Sequence, residues 1–339
     1  EVAPGPHLAS RALTTRRMML DVLIALLPVT AVAIWVFQWY AAAQIAVCVA
    51  SCVATEWLLM TLWWRKGVTI KDCSAVVTGL ILAFSIPAAC PWWVSVIASF
   101  VAVALGKVVF GGVGMNIFNP AMVGRAFVMV SFAGFLAAGG YVARTAGVVG
   151  EAGNVTQTLP WLFTRHIPDA MSQATPMTAA FKAGKGFDLM ALFLGNTNGS
   201  MGETSALACL IGGLYLCLRR TAAWQIPLGA IVGLGVLAGI DNLVHPAAEW
   251  TALHHLLGGA FLLGAFFIVT DPVSSPLTPW GRFLYGVLFG VLVMLVRLLT
   301  NYPEGVMFSV LLVNAIAPLL NRWTIPRPVG GPVPVRVKK

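Results

Sequence analysis

Apolar stretches long enough to cross a bilayer recur along almost the whole chain, and this decides its fold class before any motif is read. A hydrocarbon core about 30 Å thick takes about 20 apolar residues in a helix. On that ruler ten spans can be placed, at 18–37, 41–64, 74–90, 92–110, 126–143, 204–218, 224–240, 251–269, 283–300 and 304–321. Two are short. The third is bounded by Asp72 and by Pro87 and Pro91, and the sixth runs only from Thr204 to Leu218. Charged residues make up 10% of the 339 and hydrophobic ones 59%, whereas about 25% of a soluble domain is charged. The expectation is an all-α integral membrane protein, one polytopic domain over residues 1–339. Its first apolar run, Met18 to Tyr40, has no small-residue cleavage site after it and reads as a span, not a signal peptide.

Lys and Arg set the orientation, because they concentrate on the cytoplasmic side. With the N-terminus inside, the inside segments hold Arg11, Arg16, Arg17, Arg65, Lys66, Lys71, Lys107, Arg125, Arg219, Arg220, Arg282, Arg322, Arg327, Arg336, Lys338 and Lys339, which is 16 of the 21. Arg297 lies within a span. The other four, Arg144, Arg165, Lys182 and Lys185, fall in one long loop, and long loops translocate largely regardless of charge. Both termini are therefore expected in the cytoplasm, with loop 144–203 facing outward. Trp39, Trp63, Trp64, Trp92, Trp93, Trp224, Trp250 and Trp323 fall near span ends, as an interfacial aromatic belt would.

The net charge of +9 comes from scattered helix-end cations, with no basic stripe, so it does not point to nucleic acid. The six cysteines contain no Cys-x-x-Cys pair, and the chain is not expected to carry a metal centre. No Gly-x-Gly-x-x-Gly sits between a strand and a helix, which argues against soluble nicotinamide chemistry.

Two inside connections are unusual. Gly111 to Arg125 is rich in glycine and contains Asn116 and Asn119; Thr270 to Arg282 is rich in proline and contains Asp271. Irregular backbone at membrane depth survives where protein or a polar cavity covers it. These loops read as the lining of a site, and equally as turns carrying an inside-positive Arg. Asp72-x-Ser74-Ala75 and Glu203-x-Ser205-Ala206 open two oppositely directed spans, as two inverted five-helix halves would require, although an acid at a helix start is also ordinary capping. Glu56 and Arg297 lie within spans and are candidates for bundle-facing roles; Lys107, near a span end, reads as snorkelling to the interface.

The longest polar interruption contains Ser172-Gln173-Ala174-Thr175. One helical turn would put the hydroxyls of Ser172 and Thr175 on one face, and no His or Lys in the segment is placed to activate either. An N-cap is the ordinary reading of such residues.

Several motifs then coincide in order: Asp72-x-Ser-Ala-Val-Val-Thr-Gly79, Gly111-Gly-Val-Gly-Met-Asn-Ile-Phe-Asn-Pro-Ala-x-x-Gly-Arg125, Ser172-Gln-Ala-Thr175, Gly202-Glu-Thr-Ser205 and Thr270-Asp-Pro-Val-x-Ser-Pro-x-Thr-x-x-Gly-Arg282. From about His7 to Asn321 the chain resembles the family that contains the D-type subunit of the Rnf complex and the B-type subunit of the sodium-translocating NADH:quinone reductase. Its short N-terminal arm and Ala-Thr-Pro-Met sequence look more like the Rnf side.

The resemblance implies a membrane subunit of a ferredoxin:NAD⁺ type complex that passes electrons through flavins and moves Na⁺ or H⁺ outward. It implies FMN joined through its phosphate to Thr175 by a separate transferase, with Ser172 and Ala174 completing the motif; Gln173 stands where the family more often has Gly. It also implies a non-covalent riboflavin, for which Asn116, Asn119 and Asp271 are the candidates. Gly202, Glu203 and Thr204, at a helix opening, are candidates for holding the FMN phosphate through backbone N–H groups. The implied setting is the bacterial inner membrane, with the flavin loop on the periplasmic face. The implied partners are membrane lipid and the other members of a six-subunit assembly, among them a second FMN-carrying subunit and iron–sulfur subunits. The alternatives are a quinone-reductase B-type subunit and a non-redox transporter or channel.

Overall fold

The computed structural model describes residues 14–37, 39–64, 72–88, 90–137, 188–195, 199–245, 249–300 and 305–325. These are helical, with no strand among them beyond one isolated bridge. The helices are α1 (Thr15–Phe37), α2 (Trp39–Leu59), α3 (Ser74–Ser85), α4 (Trp92–Val103), α5 (Pro120–Ser131), α6 (Ala133–Ala137), α7 (Leu189–Leu194), α8 (Ala206–Leu218), α9 (Gln225–Val244), α10 (Ala252–Leu257), α11 (Phe261–Leu263), α12 (Pro279–Leu299) and α13 (Val306–Thr324). Three of them run on into π-helical turns, α2 through Met60–Trp64, α4 through Ala104–Val108 and α11 through Gly264–Ile268.

Among the described residues five helices are long and apolar enough to cross a membrane: α1, α2 with its π turn, α9, α12 and α13. Their outer faces carry large apolar side chains such as Leu27, Trp35, Trp57, Leu62, Val236 and Leu319. In a soluble domain so much exposed apolar surface would be a liability; here it faces lipid or other membrane protein. The chain is a multi-pass membrane protein.

The other expected spans are short or broken. Helix α3 has 12 residues and α8 has 13, about 18–20 Å at a rise of about 1.5 Å per residue. That is less than the hydrocarbon thickness. Each is continued by irregular chain, and the two irregular pieces meet. The Gly202 N–H donates to the Phe84 carbonyl at 2.8 Å, and Pro87 pairs with Ser200. Two broken segments thus satisfy each other's backbone where lipid offers no partner.

The expected span at 251–269 is also divided, at Gly258–Ala260. The carbonyls freed at that break are answered by Arg297 from α12, which is 2% exposed. Its Nη1 donates to His255 O at 2.6 Å and its Nη2 to Gly258 O at 2.9 Å. Arg297 is therefore a buried fork that holds a helix break together. The fifth span begins at Pro120, earlier than the expected 126, because Asn119 caps it and Pro120 suits a first helical turn.

Close packing relies on glycine where helices meet backbone to backbone. A methyl added to Gly229 or Gly233 of α9 would run into the carbonyls of Phe283 or Val287; one added to Gly286 or Gly290 of α12 would run into those of Ile226 or Ala230. Register rises together along both helices, so α9 and α12 lie parallel and interlocked. Helices α2 and α4 are likewise parallel and are laced by polar contacts: Gln44 Nε2 to Ser95 Oγ at 2.5 Å, Ser99 Oγ to Cys48 O at 3.3 Å, and Lys107 Nζ to Glu56 Oε2 at 2.7 Å.

Candidate functional site

The two unusual loops converge on one cavity of about 810 Å³, counting its open mouth. Its walls come from α1, α3, the turns that end α4 and α11, the start of α5, the end of α8 and the loop after Phe267. Most of the lining is aliphatic. The polar groups are Ser74, Thr78, Lys107, Asn116, Asn119, Thr221, Thr270 and Asp271. Asn116 and Asn119, from one loop, line this one cavity together with Asp271, which is far from them in sequence.

The three residues differ in what they have left to offer. Asn119 is spent on structure: its Oδ1 accepts from the N–H groups of Ala121 and Met122 at 3.1 and 3.4 Å, capping α5, and its Nδ2 donates to Ile268 O at 3.3 Å. It ties the two loops together. Asn116 is spent only in part. Its Nδ2 donates to Phe118 O at 3.1 Å, and its side-chain oxygen keeps its accepting capacity for an occupant. The Asp271 carboxylate turns its own loop, accepting from Val273 N at 3.2 Å and Ser274 Oγ at 3.3 Å.

Lys107 is the residue that sequence reasoning misplaced. It does not snorkel: it is 3% exposed, and its Nζ lies 2.7 Å from Glu56 Oε2 and 2.5 Å from Ser74 Oγ. Ser74 Oγ in turn donates to Asp72 Oδ1 at 2.6 Å, and the Ser74 N–H donates to the same oxygen at 2.9 Å. Asp72 thus takes the first N–H of α3 and is also one end of a polar chain running Asp72, Ser74, Lys107, Glu56. Lys107 sits in a π turn, whose signature is the Gly112 N–H reaching the Lys107 carbonyl at 3.1 Å and the Val109 N–H reaching Ala104 O at 3.0 Å. The π turn Gly264–Ile268 brings Phe267 to the same cavity. Single π turns inside α-helices are frequent at functional sites.

On the opposite side of the bundle, Gly202–Ser205 is packed inward. Glu203, Thr204 and Ser205 are buried, and a methyl on Gly202 would press on Leu263 and Phe84. The N–H of Gly202 is taken by Phe84 O and that of Glu203 by Ser200 O, at 2.9 Å. Ser205 Oγ caps α8 through Ala208 N at 3.2 Å and donates to Phe193 O at 3.3 Å. Thr175, Ser172, Ala174 and Gln173 lie outside the described residues. Among the described residues no three His, Cys, Asp or Glu side chains gather as a metal site would need.

The likeness to known proteins runs over the same elements. Residues 1–330 match the model of the NQR2, RnfD, RnfE family. The chain belongs to that family. Among similar family members, the D-type subunit of the Na(+)-translocating ferredoxin:NAD(+) oxidoreductase complex of Acetobacterium woodii is 39% identical over 337 residues, covering 97% of this chain and 95% of the relative. The D-type subunit of the ion-translocating oxidoreductase complex of Stutzerimonas stutzeri is 38% identical over 325 residues, 93% and 92% of the two chains. That of Actinobacillus succinogenes is 35% identical over 353 residues, 97% and 98%. The family match spans both converging loops, the cavity between them and the broken helices α3 and α8.

Proposed function

We propose that this chain is a D-type membrane subunit of an ion-translocating oxidoreductase complex of the ferredoxin:NAD⁺ kind. It passes electrons through flavins and contributes to moving Na⁺ or H⁺ across the bacterial inner membrane. Full-length likeness to subunits of that name supports this, and the cavity at Asn116 and Asp271 is the structural observation that carries it.

On this reading FMN is bound covalently through its phosphate to Thr175 in the periplasmic loop, with Ser172 and Ala174 completing the motif. A flavin on that face held only by affinity would be lost to dilution, and an ester removes that dependence. Gly202, Glu203 and Thr204 then act by bracing the structure at the outer face; the N–H groups of Gly202 and Glu203 are already engaged.

The cavity suits the isoalloxazine of a second, non-covalent flavin, best a riboflavin. Its aliphatic walls fit a flat apolar ring, and the Asn116 oxygen and Lys107 ammonium fit the donor and acceptor positions of the ring edge. Such a flavin supplies one-electron redox chemistry. The chain's own residues orient it and exclude water. Partner subunits, among them a second FMN-carrying subunit and iron–sulfur subunits, supply and remove the electrons; the chain does no nicotinamide chemistry itself.

Mass spectrometry of the peptide containing Thr175, with total flavin counted per chain, tests this. An FMN adduct on Thr175 and a second flavin released by denaturation are the expected results. A second reading, a transporter without redox groups, draws on the broken helices that meet at Phe84 and Gly202, a transporter feature. It requires that the purified chain carry no flavin at all.

A further inference from the structure

Lys107 carries the furthest inference. An ammonium has three N–H donors. Two are engaged, by Glu56 Oε2 and Ser74 Oγ. Lys107 also lines the cavity, so its third donor is available to whatever occupies it. Lys107 is itself only 3% exposed. Leaving a buried donor unmade is costly, and a neutral acceptor on a ligand is the chemistry that answers it without adding charge. The π turn Ala104–Val108 fixes Lys107 from the backbone side, and Glu56 with Ser74 fixes it from the tip, so the charge stands at one place on the cavity wall.

We propose that Lys107 is a tuning residue for the cavity's flavin: its free N–H binds a ring carbonyl, and its charge, held by Glu56, raises the ring's reduction potential. This rests on the reading of the cavity as a flavin site. Adding one electron to the oxidised ring adds one negative charge to it, and the oxidoreductase complex supplies that electron. A fixed cation nearby favours the reduced side and a fixed anion disfavours it. Glu56, the partner of Lys107, sets how much of the cation the ring feels. The two residues of one ion pair therefore have opposite effects, which no purely structural role would give.

The test uses the full chain in a Thr175→Ala background, so that visible absorbance reports only flavin in the cavity, with riboflavin added as the probe. Redox titration should show Lys107→Gln lowering the midpoint and Glu56→Gln raising it, each by at least a tenfold change in the reduction equilibrium, about 59 mV for a one-electron couple. The double variant should fall between them. Lys107→Arg, which keeps the charge, should stay close to the parent and guards against a Lys107→Gln chain that fails to fold. Shifts of the same sign in the two single variants overturn the proposal, as does an unshifted midpoint in Lys107→Gln with riboflavin bound. A parent chain that takes up no riboflavin overturns the cavity reading itself, and the tuning role with it.

Discussion

Lys107 Nζ stands 2.7 Å from Glu56 Oε2, in the interior of a bundle where the two side chains are 4% and 1% exposed. The contact joins the end of the fourth expected span to the middle of the second. Breaking a buried pair by removing one partner costs about 3–5 kcal/mol, whereas replacing both by well-packed apolar residues is often neutral. Lys107→Ala should therefore lower the thermal denaturation midpoint in detergent sharply, and the Glu56→Leu/Lys107→Met double variant should recover most of the loss. A double variant no more stable than Lys107→Ala would show that the pair is not what matters at this position.

Thr175→Ala should abolish the ultraviolet-fluorescent band on a denaturing gel while the chain still inserts, since only one hydroxyl is removed. Ser172→Ala should weaken the band less, because its hydroxyl is not the proposed acceptor. A full-strength band from the Thr175→Ala chain removes the assignment.

Asn116 and Asn119 should separate under mutation. Asn119 caps α5 and ties it to Ile268; its replacement by Ala should cost about 0.5–2 kcal/mol of stability through the lost cap. Asn116→Ala should leave the melting temperature nearly unchanged and weaken retention of non-covalent flavin about tenfold to a hundredfold, the cost of a lost buried hydrogen bond being roughly 1–3 kcal/mol. Flavin content after dilution, set beside melting curves, distinguishes the two. Equal losses of stability in both variants would contradict the division of roles.

Glycines on α9 and α12 should respond according to what they face. Gly286→Ala pushes a methyl into the Ile226 carbonyl, whereas Gly235 faces open space. The first should destabilise by about 1–3 kcal/mol, the usual cost of overpacking. Gly235→Ala should be neutral or gain up to about 1 kcal/mol from helix propensity. Thermal unfolding of the two variants side by side decides it; a Gly286→Ala chain as stable as the parent would mean that the helices separate cheaply.

Much of the helical plan is legible in the sequence because hydrophobicity is summed over whole turns and needs no partner. Helices α1, α2, α9, α12 and α13 follow directly from their apolar runs. The errors fall where a local signal competes with a distant one. The chain from 251 to 269 looks continuous, yet it breaks at Gly258, because Arg297 waits on another helix to satisfy the freed carbonyls. Asn119-Pro120 looks like a loop but starts α5. Lys107 looks like an interfacial cation because it lies near the end of an apolar run, just before Gly111 and Gly112; the carboxylate that holds it is 51 residues away. The convergence of Asn116 and Asp271 is hinted at by two irregular loops on one side, but the engagement of Asn119 as a cap is visible only in the geometry. Thr175 rests on its motif alone, since it lies outside the described residues.

The hydrogen bond from Gly202 to the Phe84 carbonyl also bears on how the chain is made. Helix α3 leaves the ribosome well before residue 202 does, by on the order of ten seconds at about 5–20 residues per second. During that interval its last carbonyls have no lasting partner in lipid. The early half of the protein must wait at the translocon, or lean on water or a chaperone, until the later half arrives to close it. Truncated nascent chains that stop short of Gly202 should therefore be held there and cleared by proteolysis, and release into the bilayer should begin only once the 199–205 segment has emerged.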